Sequence, residues 1–241
     1  MKSFLYYTAV LQGAFIMERN KRRKRRRRKR IMRFILLMLL IVTILLALLI
    51  GFFIVRHFYI NIYNQADIVL DAGHGGKDPG ANNGDAIEKE ITLSIAKMTQ
   101  EILEDTGYKV KLIRDDDCFV ELTERSEIAN RKNAKVFVSI HCNSSEDGEG
   151  KGIETFYTEQ KGESDQELAE KIHKEIIKQT EADDRGVKTA DYTVIVRTEM
   201  PAVLIETGFL TNSTECELLK DEEYQKKLAE GIAEGIILYL N

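Results

Sequence analysis

The alternation of apolar and polar positions divides this chain into two unlike parts. Residues 34–55 (FILLMLLIVTILLALLIGFFIV) form an unbroken apolar run without a charge, in which only Thr43 and Gly51 depart from the theme. Wound as a helix, the run would extend about 33 Å, against a bilayer hydrocarbon core of roughly 30 Å, so it predicts one membrane-spanning helix. A cleaved signal sequence carries a shorter apolar stretch of about 7–15 residues before a small-x-small site. This stretch leads instead into FFIVRHFY at 52–59, and we read it as an uncleaved anchor followed by a short stalk over residues 56–66.

From Asp67 the pattern changes to short apolar runs separated by helical periodicity. Ile68, Val69 and Leu70 read as a buried strand that ends in a glycine-rich turn. Ile91, Ile95, Met98 and Ile102 recur at intervals of four, three and four, an amphipathic helix that stops at Gly107. A strand over 109–113, a helix over 122–130 and a β-branched strand over 136–140 follow. Next come a strand over 152–157, a helix carrying Leu168, Ile172 and Ile176, strands over 193–197 and 202–205, and a final helix over 221–239. Strands separated by helices predict an α/β fold: a single three-layer domain over residues 67–241, with a mostly parallel sheet flanked by helices, preceded by the one N-terminal transmembrane helix.

Charge sharpens the division. Residues 1–33 hold thirteen basic side chains, including the uninterrupted run 21–30, and one acidic side chain, Glu18. The remaining residues carry 22 basic and 38 acidic side chains, so a tip of +12 is joined to a body of −16. The basic run lies on one side of the apolar stretch and only Arg56 and His57 on the other. The positive-inside rule therefore places the basic tail, 1–33, in the cytoplasm and the body on the outer side of the cell membrane. An acidic body repels polyanions, which argues against nucleic acid as a partner. Residues 1–16 precede a second methionine, Met17, and read either as a short tail or as lying upstream of the true start. Three cysteines without CxxC spacing exclude a disulfide scaffold and a cysteine-type zinc finger, so any metal must be held by histidine and carboxylate.

Of the four histidines, His57 adjoins the anchor and His173 sits beside Ile172 in a helix, where a packing role is the better reading. His74 and His141 follow the predicted strands 68–70 and 136–140, at the carboxyl ends where open α/β sheets place their ligands. Glu206 ends the strand 202–205 at the same edge, and a carboxylate there is costly without a partner. Two histidines and a carboxylate make a standard catalytic zinc set. Asp71, Asp78, Asp85, Glu88 and Glu90 compete to be the third ligand. Glu88 lies three before Ile91 and seven before Ile95, on the sheet-facing stripe, whereas Glu90 aligns with Ser94, Lys97 and Glu101 on the solvent face, so Glu88 is preferred. The alternative for Glu88 is simple complementation of the helix dipole. The turn GHGGKD at 73–78 lacks the third glycine of a dinucleotide fingerprint and the Lys-Ser/Thr of a P-loop.

Seven ordered segments extend this picture: IVLDAGHGGKDPG at 68–80, EKEITL at 88–93, LIRDDD at 112–117, LTERSEIAN at 122–130, SIHCN at 139–143, RGVK at 185–188 and MPAVLIETGFLTN at 200–212. Together they resemble the zinc-dependent N-acetylmuramoyl-L-alanine amidases of bacterial cell walls, over nearly all of residues 67–241. The resemblance implies that His74, Glu88 and His141 bind Zn2+ and that Glu206 is the catalytic glutamate. It implies hydrolysis of the amide between N-acetylmuramic acid and L-alanine, with peptidoglycan as the substrate and the membrane engaged through residues 34–55. Two positions depart from the family pattern: Ala72 replaces the usual proline and Cys142 the usual alanine. In an extended strand Cys142 points away from His141, and it reads as a small buried hydrophobe. The autoinhibitory helix of some members has no counterpart, because the stretch between Asn143 and Gly152 is short; the need for a protein activator is left open.

Arg114, Arg125 and Arg197 fall in matching segments, either as partners for peptide carboxylates or as structural ion pairs. Two other functions use the same residues. One is a zinc peptidase, such as a carboxypeptidase, cutting within the peptide stem; the other is a non-catalytic wall-binding module, which would not need all four site residues.

Overall fold

The computed structural model describes the backbone of residues 2–241 and the side chains of residues 17, 19, 21–56 and 65–241. It separates into two compact units, residues 1–63 and residues 64–241.

The first unit is formed by the helix α1 (Lys2–Asn64), whose last residue begins the second unit. Within it, residues Lys21–Arg56 are long and apolar enough to cross a membrane by length and composition. The helix continues through Asn64, so most of the stretch expected as a stalk is helical. The side chain of His57 and those of residues 1–16 lie outside the described residues, as do the readings made of them.

The second unit is built on a six-stranded sheet of β1 (Ile68–Ala72), β4 (Val110–Leu112), β5 (Val136–Asn143), β6 (Ile153–Tyr157), β7 (Asp184–Thr189) and β8 (Ala202–Phe209), in the order β4-β1-β5-β8-β6-β7. Every neighbouring pair is parallel except β6 with β8. A two-stranded hairpin, β2 (Asn82–Asn83) and β3 (Ala86–Ile87), precedes α2 (Glu88–Asp105). The remaining helices are α3 (Leu122–Lys132), α4 (Glu163–Thr180), α5 (Thr193–Val196), α6 (Ser213–Lys220) and α7 (Glu222–Leu240).

Strand periodicity explains the layering. Ile68, Leu70, Val136, Val138, Ile140, Val203 and Ile205 face one side, where Ile91 and Ile95 of α2, Ile172 and Ile176 of α4 and Ile232 and Ile236 of α7 complete a buried cluster. The intervening residues Val69, Phe137, Ala202 and Leu204 face the other side, against Ala129 of α3 and Val194 and Ile195 of α5. A side-chain period of two thus buries both faces of the central strands.

The structure corrects one expected element and adds two that were not expected. Residues 193–197 are not a strand: Thr193–Val196 forms the single helical turn α5, whose Val194 and Ile195 are both buried on the second face. The β-branched composition favours a strand, but β1, β5 and β8 are already paired on both edges, and packing overrides propensity. The unanticipated β7 lies at the sheet edge with the sequence DRGVKT, too polar to show a buried strand pattern. The C-terminal helix is preceded by a separate helix, α6, and each carries its own N-cap: Asn212 accepts from the amides of Thr214 and Glu215, and Asp221 from that of Glu223.

Candidate metal centre

Parity along the strands brings the polar residues of interest to one place. Asp71 on β1, Ser139 and His141 on β5 and Glu206 on β8 share the face of Val69, Phe137 and Leu204, and His141 stands directly opposite Glu206 in the β5–β8 pairing. β5 runs two residues past His141, so this histidine lies inside the strand rather than beyond its end. His74 lies two residues past β1, and Glu88 opens α2 as a buried residue, 3% exposed.

One ligand atom from each of His74, Glu88 and His141 falls within 4.8 Å of the others. Glu88 Oε1 is 3.0 Å from His74 Nε2 and 3.0 Å from His141 Nδ1. Ligands about 2.0–2.1 Å from a tetrahedral zinc stand about 3.3 Å apart, so the two contacts match the edges of such a site within small adjustments. His74 and Glu88 are each held from behind. Asp78 Oδ2 is 2.8 Å from His74 Nδ1, which leaves Nε2 turned to the cluster. Glu88 accepts from the amides of Ala81 at Oε2 (2.8 Å) and Cys142 at Oε1 (2.9 Å). A Cβ on Gly73 would stand 2.4 Å from His141 Cε1, and one on Gly80 2.4 Å from Glu88 Oε2, so a side chain at either position would intrude on the cluster.

The loop after β1 is held by two buried guanidiniums. His74 has φ of +61°, a conformation that costs a non-glycine residue about 1–2 kcal/mol. Arg114 Nε (3.0 Å) and Arg125 Nη1 (2.9 Å) donate to Ala72 O. Arg114 Nη2 donates to Gly73 O (2.8 Å), and Arg125 Nη2 to His74 O (2.8 Å). Three consecutive carbonyls are thereby satisfied. Arg114 also donates to Lys89 O at 2.7 Å, which joins the loop to the first turn of α2. Arg125 pairs with Asp71 at 2.7 Å, and Asp71 accepts from Ser139 Oγ at 2.8 Å. These arginines are thus structural clamps, whereas Arg197 is exposed.

The electrostatics favour positive charge at the cluster. Burial pulls the His74 imidazole down, but the Glu88 and Asp78 carboxylates override it and hold it at about 9. His141 is raised in the same way, against its burial, by Glu88 and then Glu206. Burial raises Glu88, yet the two imidazoles outweigh it and bring the carboxyl to about 2. Glu206 behaves oppositely: burial dominates and lifts it to about 7. Its Oε2 is buried and has no hydrogen-bond partner among the described residues, although the residue as a whole is partly exposed. A cavity of about 540 Å³ opens onto His74, His141 and Glu206, walled by Phe119, Leu122 and Tyr192.

The other third-ligand candidates are accounted for. Asp71 is committed to Arg125 and Ser139, Asp78 backs His74, Asp85 pairs with Lys220 at the surface, and Glu90 is exposed. Cys142 is buried in the opposite cluster, where burial pushes its thiol up and its Sγ lies 3.4 Å from Thr207 Oγ1. His173 is buried between Thr155 and Asp184, bonded at both ring nitrogens. Sequence reasoning did not find Asp78 as the partner of His74 or the Asp71–Arg125–Ser139 chain; the signals were an acidic residue four after a histidine and an aspartate inside an apolar strand.

The comparisons agree with this architecture. A family model described as N-acetylmuramoyl-L-alanine amidase matches residues 68–238. The uncharacterized protein YqiI of Bacillus subtilis (strain 168) is 39% identical over 173 residues, which cover 71% of this chain and 84% of that one. N-acetylmuramoyl-L-alanine amidase LytC of the same organism is 38% identical over 173 residues, but these make up only 35% of LytC. Among solved structures, the N-acetylmuramoyl-L-alanine amidase from Clostridium difficile 630 superimposes with a TM-score of 0.71 at 36% identity, covering 73% of this chain and 97% of that one. A matched span of this extent, at this identity and with a shared fold, means that the chain belongs to the N-acetylmuramoyl-L-alanine amidase family.

Proposed function

We propose that this protein is a zinc-dependent, membrane-anchored N-acetylmuramoyl-L-alanine amidase that hydrolyses the amide joining N-acetylmuramic acid to L-alanine in peptidoglycan. The observation that carries the reading is the convergence of His74, Glu88 and His141 at one sheet edge, with Glu206 beside His141 on the neighbouring strand. The donor set, two imidazoles and one carboxylate, suits zinc and leaves room for water or substrate. Zinc bound there supplies Lewis-acid polarisation of the amide carbonyl and a lowered pKa for water.

The remaining roles belong to the chain itself. Asp78 fixes the tautomer of His74, and the amides of Ala81 and Cys142 hold the Glu88 carboxylate in place. Glu206 is the proton carrier: it accepts a proton from the attacking water and returns it to the leaving L-alanine nitrogen, a role suited to a carboxyl that lines the cavity beside His141. The apolar helix sets the location, with the basic tail in the cytoplasm and the catalytic domain on the wall side. The test compares wild type with Glu206→Gln on purified peptidoglycan. Loss of turnover at unchanged zinc content supports the assignment, and full turnover refutes it.

A further inference from the structure

We propose that the cationic run 21–30, together with Arg33, binds anionic lipid headgroups on the side of the membrane that holds the N-terminus. The inference rests on the apolar helix crossing a bilayer, and it is independent of the chemistry at the metal centre.

Three observations carry it. The run is ten consecutive lysines and arginines with no acidic or apolar interruption, and its side chains are exposed. It lies in the same helix as the apolar stretch, with Arg33 adjoining Phe34. At about 100° per residue, ten successive cations point in every direction around the axis. A docking face for an acidic protein or a nucleic-acid groove needs cations on one side only. A helix rising out of a bilayer is instead ringed by headgroups, and an all-round collar of cations complements such a ring.

Depth separates this role from orientation alone. At about 1.5 Å per residue, Arg27, Arg28, Lys29, Arg30 and Arg33 lie within about 10 Å of the apolar edge, inside one Debye length of the headgroups. Lys21, Arg22, Arg23 and Lys24 lie about 15–20 Å away. The positive-inside effect counts both groups, because it extends over about 15–20 residues from the span. Headgroup binding weights the near group.

The test uses the full chain reconstituted in vesicles of phosphatidylcholine with about one-fifth phosphatidylglycerol. Two variants each lose four cations: Arg27, Arg28, Lys29 and Arg30 all replaced by Gln, and Lys21, Arg22, Arg23 and Lys24 all replaced by Gln. Flotation with pure phosphatidylcholine vesicles first reports the span itself; a chain that does not float refutes the membrane reading on which the inference rests. The lipids retained after mild detergent extraction are then quantified by mass spectrometry. Wild type is expected to enrich phosphatidylglycerol about threefold or more over the bilayer ratio, with the enrichment lost at high salt. The near-group variant, which keeps Arg33, is expected to lose most of the enrichment while the far-group variant keeps most of it. Absence of enrichment in wild type overturns the proposal. Equal loss in both variants, with a single-stranded oligonucleotide displacing the lipid, also overturns it and makes the run a general polyanion site.

Discussion

Replacing Glu206 with glutamine should make the metal-free catalytic domain more stable above neutral pH while removing its activity. The Glu206 carboxyl sits at about 7 rather than 4.5, because burial disfavours its charged form. A carboxyl raised in this way contributes its full stability below the unfolded pKa and loses it as the pH climbs through about 7. Between about pH 5 and about pH 8 the wild-type loss has a ceiling of about 2.5 kcal/mol. The partial exposure of the residue lowers the expected figure to about 1–2 kcal/mol. Glutamine, neutral throughout, escapes this loss. Its other effects, including an amide without a partner, are present at both pH values and cancel in the comparison. The assay is urea unfolding of residues 64–241, which hold both hydrophobic clusters, without metal at the two pH values. The variant should gain about 1–2 kcal/mol relative to wild type on going from the lower to the higher pH, and turnover with zinc restored should fall by about 10²–10⁴-fold. An unchanged stability difference at the two pH values would falsify the claim that this carboxylate is held desolvated beside the metal centre.

Three further substitutions probe the supporting structure. Asp78→Asn replaces the carboxylate behind His74 Nδ1 and should weaken zinc binding by about 10–100-fold, measured by chelator competition, with the fold intact by circular dichroism. Arg125→Met removes the clamp on the carbonyls of Ala72 and His74 and strands the buried Asp71 charge; a loss of about 3–5 kcal/mol in denaturant unfolding is expected, and a loss below about 1 kcal/mol contradicts the clamp. Gly235→Ala puts a methyl 2.4 Å from the Ile172 Cα where α7 packs on α4, and the thermal midpoint should fall with a cost of about 1–3 kcal/mol.

Much of this arrangement was legible in the sequence because it rests on periodicity. The interval of three residues from Glu88 to Ile91 put the carboxylate on the buried stripe of α2, and the polar residue after each apolar run marked the sheet edge. What stayed hidden depends on contacts between distant segments. The charged strand β7 is held by pairing with β6, and α5 takes a helical turn because the strands beneath it have no free edge. The carbonyls of Ala72, Gly73 and His74 that Arg114 and Arg125 hold lie 41–53 residues upstream, at the end of β1 and in a loop whose conformation no local pattern specifies. Family resemblance supplied the roles of the site residues, and the geometry adds that Glu206, unlike Glu88, has a carboxyl oxygen with no hydrogen-bond partner among the described residues.

The central claim is the bond that is cut, and end-group analysis tests it most directly. The full chain, solubilised in detergent with zinc restored, is incubated with purified peptidoglycan, and the new termini are identified by mass spectrometry. Free L-alanine amino termini together with peptide-free glycan, both abolished by a chelator and regained on adding zinc, are the predicted result. New termini at another position in the peptide stem, or cleavage indifferent to the chelator, would contradict it.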